Sequence, residues 1–222
     1  MPSTNIQQYD YYIFDCDGVI LDSNKLKIDA MGKALQQLNV SKADVQRCCS
    51  YFANNFGKSR FHHVEVFVED LLKIEDNEKA SFTERVLQFF SEQCQSLYLT
   101  APMTPGFVEL IEQLDGEKYI ASGSEQNELR AVFKQRGLEQ YFAGIFGSPT
   151  PKAKLVKNII EAMPNSNTVM VGDALSDLQA AQHNHIDFIG YTPFSNVPEL
   201  LTEQTQTAGF TVIDTWTKLN IN

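Results

Sequence analysis

Tyr11-Tyr12-Ile13-Phe14-Asp15-Cys16-Asp17-Gly18-Val19 decides how this chain is read. Four apolar residues followed by acids and a glycine read as a short strand buried on both faces, ending in a turn. Comparable runs recur at Lys118–Ala121, Gly144–Phe146, Thr168–Val171, Asp187–Tyr191 and Phe210–Ile213. Segments of helical period separate them. Leu129, Val132, Phe133 and Leu138 follow one strand; Leu155, Val156, Ile159, Ile160 and Met163 follow another, closed by Pro164. Strands alternating with helices predict an α/β fold: a Rossmann-like parallel sheet sandwiched by helices.

Residues 23–100 break that rhythm and read as entirely helical. Ile28, Met31, Leu35 and Leu38 fit one helical face; Phe82, Val86, Phe89, Phe90 and Leu97 fit another. Asp22-Ser23-Asn24 and Ala101-Pro102-Met103-Thr104-Pro105-Gly106 read as linkers, with Thr104 as N-cap and Pro105 as the first residue of a helix restarting the sheet domain. The expected organisation is an α/β core of residues 1–22 and 101–222 and a small all-helical cap domain of residues 23–100. Two linkers at one sheet edge make a hinge.

The 222 residues carry 43% hydrophobic and 21% charged side chains, which excludes a disordered or collagen-like chain. Against 28 acidic residues stand 18 basic ones, a net charge of −10. Such a surface repels nucleic acid and anionic lipid, so neither is an expected partner, and an anionic ligand needs a local positive site. Cys16, Cys48, Cys49 and Cys94 form no CxxC pair and read as reduced, mostly buried thiols. Met1 to Asp10 lacks a signal-peptide pattern, and no apolar run approaches the roughly 20 residues of a membrane span. The expectation is a soluble cytoplasmic protein, a monomer or weak homodimer.

Four segments carry chemistry. In an extended backbone Asp15 and Asp17 point the same way, at the carboxyl end of a buried strand, and two such carboxylates call for a cation or a shared proton. Thr168–Val171 leads into Gly172-Asp173-Ala174-Leu175-Ser176-Asp177, with Asp173 at the strand tip and Asp177 in the first turn of the next helix. Asp177 also suits the helix dipole there. These oxygens fit a hard cation such as Mg²⁺ better than zinc. In Ile120-Ala121-Ser122-Gly123-Ser124-Glu125, Ser122 offers a hydroxyl, and the Gly123 and Ser124 N–H groups at a helix start read as an anion site; N-capping by Ser124 is the structural alternative. Lys152, in Pro149-Thr150-Pro151-Lys152-Ala153-Lys154, opposes the dipole of the helix it begins and so needs a partner; Lys154 reads as solvated.

Together these segments resemble the haloacid dehalogenase superfamily, in its phosphatase-like branch with a helical cap after the first motif, similar to phosphoglycolate phosphatases and β-phosphoglucomutases. Asp15-x-Asp17-Gly18-Val19, Ser122, Lys152 and Gly172-Asp173-x-x-x-Asp177 match its four motifs in order, over nearly the whole chain. The resemblance implies a Mg²⁺-dependent phosphomonoester hydrolase of a small phosphorylated metabolite, of sugar phosphate or phosphoglycolate type. Asp15 would attack phosphorus to form an aspartyl-phosphate, and Asp17 would serve as acid and base. Mg²⁺ would be held by Asp15, the backbone carbonyl of Asp17 and Asp173, with Asp177 in support. Lys152 and Ser122 would hold phosphate oxygens. A phosphomutase on the same scaffold and a non-catalytic phosphometabolite-binding protein are the alternatives.

Within the cap, Gly57-Lys58-Ser59-Arg60 lacks the preceding strand and first glycine of a nucleotide-binding P-loop. It resembles the Gly-x-Ser-Arg loop in caps of sugar-phosphate members, which would put Lys58 and Arg60 on the substrate; a solvent-facing basic turn is the alternative. His62, His63, His183 and His185 read as polar surface, Phe52, Phe56, Phe61 and Phe67 as cap core, and Trp216 as packing the carboxyl end against the sheet.

Overall fold

In the computed structural model, which describes residues 4–162 and 166–220, the chain passes from a two-residue strand, β1 (Thr4–Asn5), into β2 (Tyr11–Phe14). Four helices follow in succession: α1 (Asn24–Gln37), α2 (Lys42–Asn54), α3 (Arg60–Val66), extended by a π-helical turn at Phe67–Leu71, and α4 (Asp76–Thr100). Alternation then begins with α5 (Phe107–Ile111), β3 (Glu117–Glu125), α6 (Gln126–Gln135), β4 (Gly144–Ser148) and α7 (Lys152–Glu161). It continues with β5 (Thr168–Gly172), α8 (Leu175–His183), β6 (Asp187–Tyr191), α9 (Pro198–Thr207) and β7 (Thr211–Ile213), and ends in β8 (Leu219–Asn220).

Six strands form one parallel sheet in the order β4-β3-β2-β5-β6-β7. Strand periodicity sorts its two faces. Tyr12, Phe14, Val169 and Val171 pack with Phe107 of α5 and Leu129, Val132 and Phe133 of α6. Ile13 and Met170 point the other way, onto Leu155, Val156 and Ile159 of α7 and Leu178 of α8. Phe14 pairs with Ile120 on one side and Val171 on the other, so β2, β3 and β5 end side by side and their following residues share one edge.

All six expected strands are present. β3 runs four residues past Ala121, because after an irregularity Glu125 still pairs with Ser148. The parallel pairing of β1 with β8 had no counterpart in the sequence reading. Met163 and Pro164, the expected end of α7, lie outside the described residues. Thr104 is not a cap: Gly106, at φ 83°, precedes α5, and the Thr104 hydroxyl donates to the Val19 carbonyl at 2.5 Å. That bond ties the second linker to the loop after β2.

In the helical insert Met31, Leu35, Phe52, Phe67, Val86 and Phe90 are buried, in one continuous apolar core with Phe14 and Val171 of the sheet. Phe61, expected in this core, is 41% exposed. His63, expected at the surface, is fully buried with its ring 4.5 Å from that of Phe52, and neither ring nitrogen has a hydrogen-bond partner. Burial, with the neighbouring His62 and two lysines, pushes His63 down to about 3, so it packs as a neutral ring. His62 is half-buried, 3.2 Å from the Tyr51 hydroxyl. Trp216 stacks on Tyr191 at 3.9 Å, and all four cysteines are free thiols. Among the described residues no helix is long and apolar enough to cross a membrane.

Candidate active site

Lys152 is the first residue of α7 and is buried despite the unfavourable dipole. Its Nζ lies 2.9 Å from Asp15 Oδ1 and donates to Asp177 Oδ1. Those two carboxylates are the reason for a cation at this helix start. Lys154 is exposed, as expected.

Asp15 directly follows β2, Asp173 directly follows the adjacent β5, and Asp177 occupies the first turn of α8. All three are buried, and one oxygen of each lies within 4.8 Å of the others. Asp177 Oδ2 accepts the Ala174 N–H at 3.0 Å, so the carboxylate caps its helix with one oxygen and meets Lys152 with the other. Asp173 Oδ2 accepts from Asn24 Nδ2 at 2.6 Å, while its Oδ1 is buried without a hydrogen-bond partner. Three buried carboxylates face one ammonium. Burial, offset in part by Lys152 and reinforced by Asp177 and Asp17, pushes Asp15 up to about 7. Burial and the charges of Asp15 and Asp177 likewise hold Asp173 well above the usual carboxylate range. Surplus negative charge, oxygen-only donors and an orphaned carboxylate oxygen fit a hard divalent cation such as Mg²⁺. Gly18, at φ 75°, makes room for the cluster, since a Cβ there would sit 2.2 Å from Asp173 Oδ2.

Asp17 does not converge with Asp15. The strand ends at Phe14, so two-residue alternation no longer applies, and the Asp17 carboxylate lies outside the three-acid cluster. Ser23 Oγ donates to its Oδ1 at 2.6 Å, and the Tyr98 hydroxyl donates to the same oxygen at 2.9 Å. Lys27 Nζ and Ser124 Oγ each meet Oδ2 at 2.9 Å. Burial pushes Asp17 up, but Lys27's charge and the hydrogen bonds outweigh it and hold the carboxyl below its ordinary value. The sequence reading missed Ser23, Asn24, Lys27 and Tyr98. For Lys27 a signal existed: it precedes Met31 and Leu35 at four-residue steps, a charged residue on the apolar face of α1.

Ser122 is fully buried at the same sheet edge, two residues past Ile120, the partner of Phe14. The expected helix terminus is not there. β3 continues to Glu125, whose side chain caps α6, and the Ser124 N–H donates to Ser122 Oγ at 3.1 Å. Gly123 instead meets the insert: a Cβ on it would lie 2.6 Å from the Gly57 carbonyl and 2.8 Å from that of Lys58. Gly57, at φ 87°, lies against Ser176, whose hydroxyl donates to the Phe56 carbonyl at 3.2 Å. The Phe56–Ser59 loop thus closes over the site.

Lys58 is exposed, its Nζ 3.4 Å from Asn55 Oδ1. Together with His62, Lys152, Gln179 and His183 it lines a cleft of about 450 Å³ that has no carboxylate in its wall. A smaller pocket of about 110 Å³ runs from Lys58 to Asp173 and Asn196. Arg60 does not face either space. It is buried in a two-pronged ion pair with Glu128 of α6, its guanidinium 5.0 Å over the Phe90 ring, so neither alternative read for it from sequence describes where it lies.

The haloacid dehalogenase-like hydrolase model matches residues 9–185. The chain belongs to the haloacid dehalogenase-like hydrolase family. As a family member it is a hydrolase with the expected α/β architecture. A phosphoglycolate phosphatase of Photobacterium profundum is 22% identical, covering 82% of each chain. A structure described as a predicted phosphoglycolate phosphatase from Haemophilus somnus 129pt superposes with a TM-score of 0.73 at 16% identity, over 95% of this chain and 96% of that one. YfnB from Bacillus subtilis, solved bound to magnesium, superposes with a TM-score of 0.63 at 18% identity, over 95% and 96% of the two chains.

Proposed function

We propose that this hydrolase is a Mg²⁺-dependent phosphatase that cleaves small phosphomonoesters, of sugar phosphate or phosphoglycolate type, through an aspartyl-phosphate on Asp15. The observation that carries the reading is the buried grouping of Asp15, Asp173 and Asp177 around one ammonium, Lys152 Nζ, which lies 2.9 Å from Asp15 Oδ1. The Photobacterium phosphoglycolate phosphatase supports the same substrate class.

Asp15 is the nucleophile. Lys152 fixes its carboxylate at a strand tip, and attack on phosphorus forms the Asp15–phosphate bond as the ester oxygen leaves. Asp17, in its protonated form when the ester binds, gives that proton to the departing alkoxide and as a carboxylate then takes one from the water that cleaves the acyl-phosphate. Asp15, Asp173 and the Asp17 carbonyl, with Asp177 in support, would hold Mg²⁺, which supplies charge screening between carboxylate and phosphate when bound. Ser122 and Lys152 hold the remaining phosphate oxygens, and Lys58 draws anions into a cleft free of acids. Residues 23–100 act as a cap over a core of residues 1–22 and 101–222. With Asp15 and Asp17 only 1% and 3% exposed, substrate enters when the cap lifts.

Phosphate release, with and without Mg²⁺, is to be followed over sugar phosphates, nucleotides and phosphoglycolate. Mg²⁺-dependent turnover of a small phosphomonoester, abolished in D15N, is the expected result. No release from any member of the set, or unchanged release by D15N, would overturn the reading.

A further inference from the structure

Two lysines divide the two aspartates of the first motif between opposite sides of the site. Lys152 takes Asp15, while Lys27 Nζ lies 2.9 Å from Asp17 Oδ2 and 2.8 Å from Ser124 Oγ. Lys27 is buried, with its ammonium 5.2 Å over the Phe56 ring and 5.7 Å over that of Tyr98. Asp17 is its ion-pair partner. Three of the four side chains holding Asp17, Ser23, Lys27 and Tyr98, come from the helical insert, and Ser124 alone comes from the sheet. Ser23 and Lys27 stand at the start of the insert and Tyr98 near its end, so both connections to the core reach the same carboxylate.

We propose that Lys27 is a positioning residue that seats the Asp17 carboxylate away from the Asp15–Asp173–Asp177 cluster, and does so only while the insert lies over the sheet edge. The physical reason is competition. A carboxylate on a loop beside a cation site and a second ammonium is drawn to them, and there it would ligate rather than exchange protons with a leaving group. Hydroxyls from Ser23, Tyr98 and Ser124 orient Asp17, but Lys27 supplies the opposing charge that keeps it from crossing. Closure of the insert and placement of the acid are thereby one event. The inference rests on Asp17 being the acid–base group of the proposed reaction.

The test compares wild type, D17N, K27M, K27R and the D17N/K27M double variant on an alkyl phosphate and on p-nitrophenyl phosphate, whose leaving group needs no proton. K27M is expected to lose on the order of 10²-fold in kcat on the alkyl ester and far less on the aryl ester. The double variant should be no slower than D17N, because the two residues act as a unit. K27R should restore most of the alkyl-ester rate. A crystal structure of K27M is expected to show the Asp17 carboxylate displaced from Ser124 and Tyr98. Equal losses of K27M on both esters, or losses that multiply with those of D17N, overturn the proposal. So does an unmoved Asp17 in K27M, whatever the activity. Equal losses of D17N on both esters remove the acid role itself, and with it the role of Lys27.

Discussion

Arg60 at the start of α3 and Glu128 in α6 join the insert to the core through two parallel hydrogen bonds, Nη1 to Oε1 at 2.9 Å and Nη2 to Oε2 at 2.6 Å. Their side chains are 5% and 11% exposed, so solvent screens the pair little. Removing one partner leaves the other charge buried. R60A and E128A are each expected to cost about 3–5 kcal/mol, whereas the apolar pair R60M/E128L should recover most of that. Urea denaturation of the four proteins measures it. A small loss in either single variant would mean that water reaches the site when the pair is broken.

Metal binding should reverse the sign of a mutation. Without Mg²⁺, burial and the charges of Asp15 and Asp177 disfavour an ionised Asp173, so D173N, which cannot ionise, is expected to melt at or above the wild-type temperature. With Mg²⁺ at about 100 times its Kd, wild type should gain about 2.7 kcal/mol, and D173N should gain little. Thermal melts with EDTA and with increasing Mg²⁺ give both comparisons. A wild-type melting temperature indifferent to Mg²⁺ would contradict the assignment of the cluster as a cation site.

His63 sets a pH dependence that is independent of catalysis. Its folded value of about 3 lies below the ordinary 6.5, so between those values the unfolded chain binds a proton that the folded one does not. The stability this neutral ring allows is fully present above pH 6.5 and is lost as pH falls toward 3. From pH 7.5 to pH 5 the loss from this residue is about 2 kcal/mol. H63F keeps the ring and its contacts with Phe52 and Phe67 and has no proton to bind, so its stability should fall less over that interval. Urea midpoints at the two pH values test this, and parallel declines in both proteins would refute it.

The fold was legible because the apolar runs at Tyr11–Phe14 and Thr168–Val171 are too short for helices and too continuous for a half-exposed sheet. Motif residues at strand ends were legible for the same reason: once β2 and β5 are neighbours, Asp15 and Asp173 must meet. What failed was inference past the ends of elements. Asp17 was aimed by strand alternation, yet the backbone had already turned after Phe14. Gly123 and Ser124 were read as the start of a helix, an anion site or a cap, yet pairing between Glu125 and Ser148 carried β3 beyond them. Partners contributed by the insert were hidden further, since no local pattern relates Lys27 and Tyr98 to Ser124, or Arg60 to Glu128. Tertiary closure alone brings them together.

That closure depends on two glycines meeting back to back. Gly123 lies within β3, and its φ is not among the positive values, so alanine fits the backbone there and any effect of G123A is steric. Its Cβ would approach the Gly57 and Lys58 carbonyls to 2.6 and 2.8 Å, and main-chain atoms cannot rotate aside as a side chain could. The Phe56–Ser59 loop must lift, which weakens the Ser176 contact with the Phe56 carbonyl while leaving the sheet and its two packed faces intact. G123A is therefore expected to lower kcat/KM for phosphomonoesters by about 10-fold or more, since small displacements of positioning groups are costly. Its unfolding free energy should change by only about 1 kcal/mol. Parallel activity assays and melts decide it. If stability falls steeply while kcat/KM is unchanged, the contact between the loop and β3 serves packing, and closure over Asp15 does not require it.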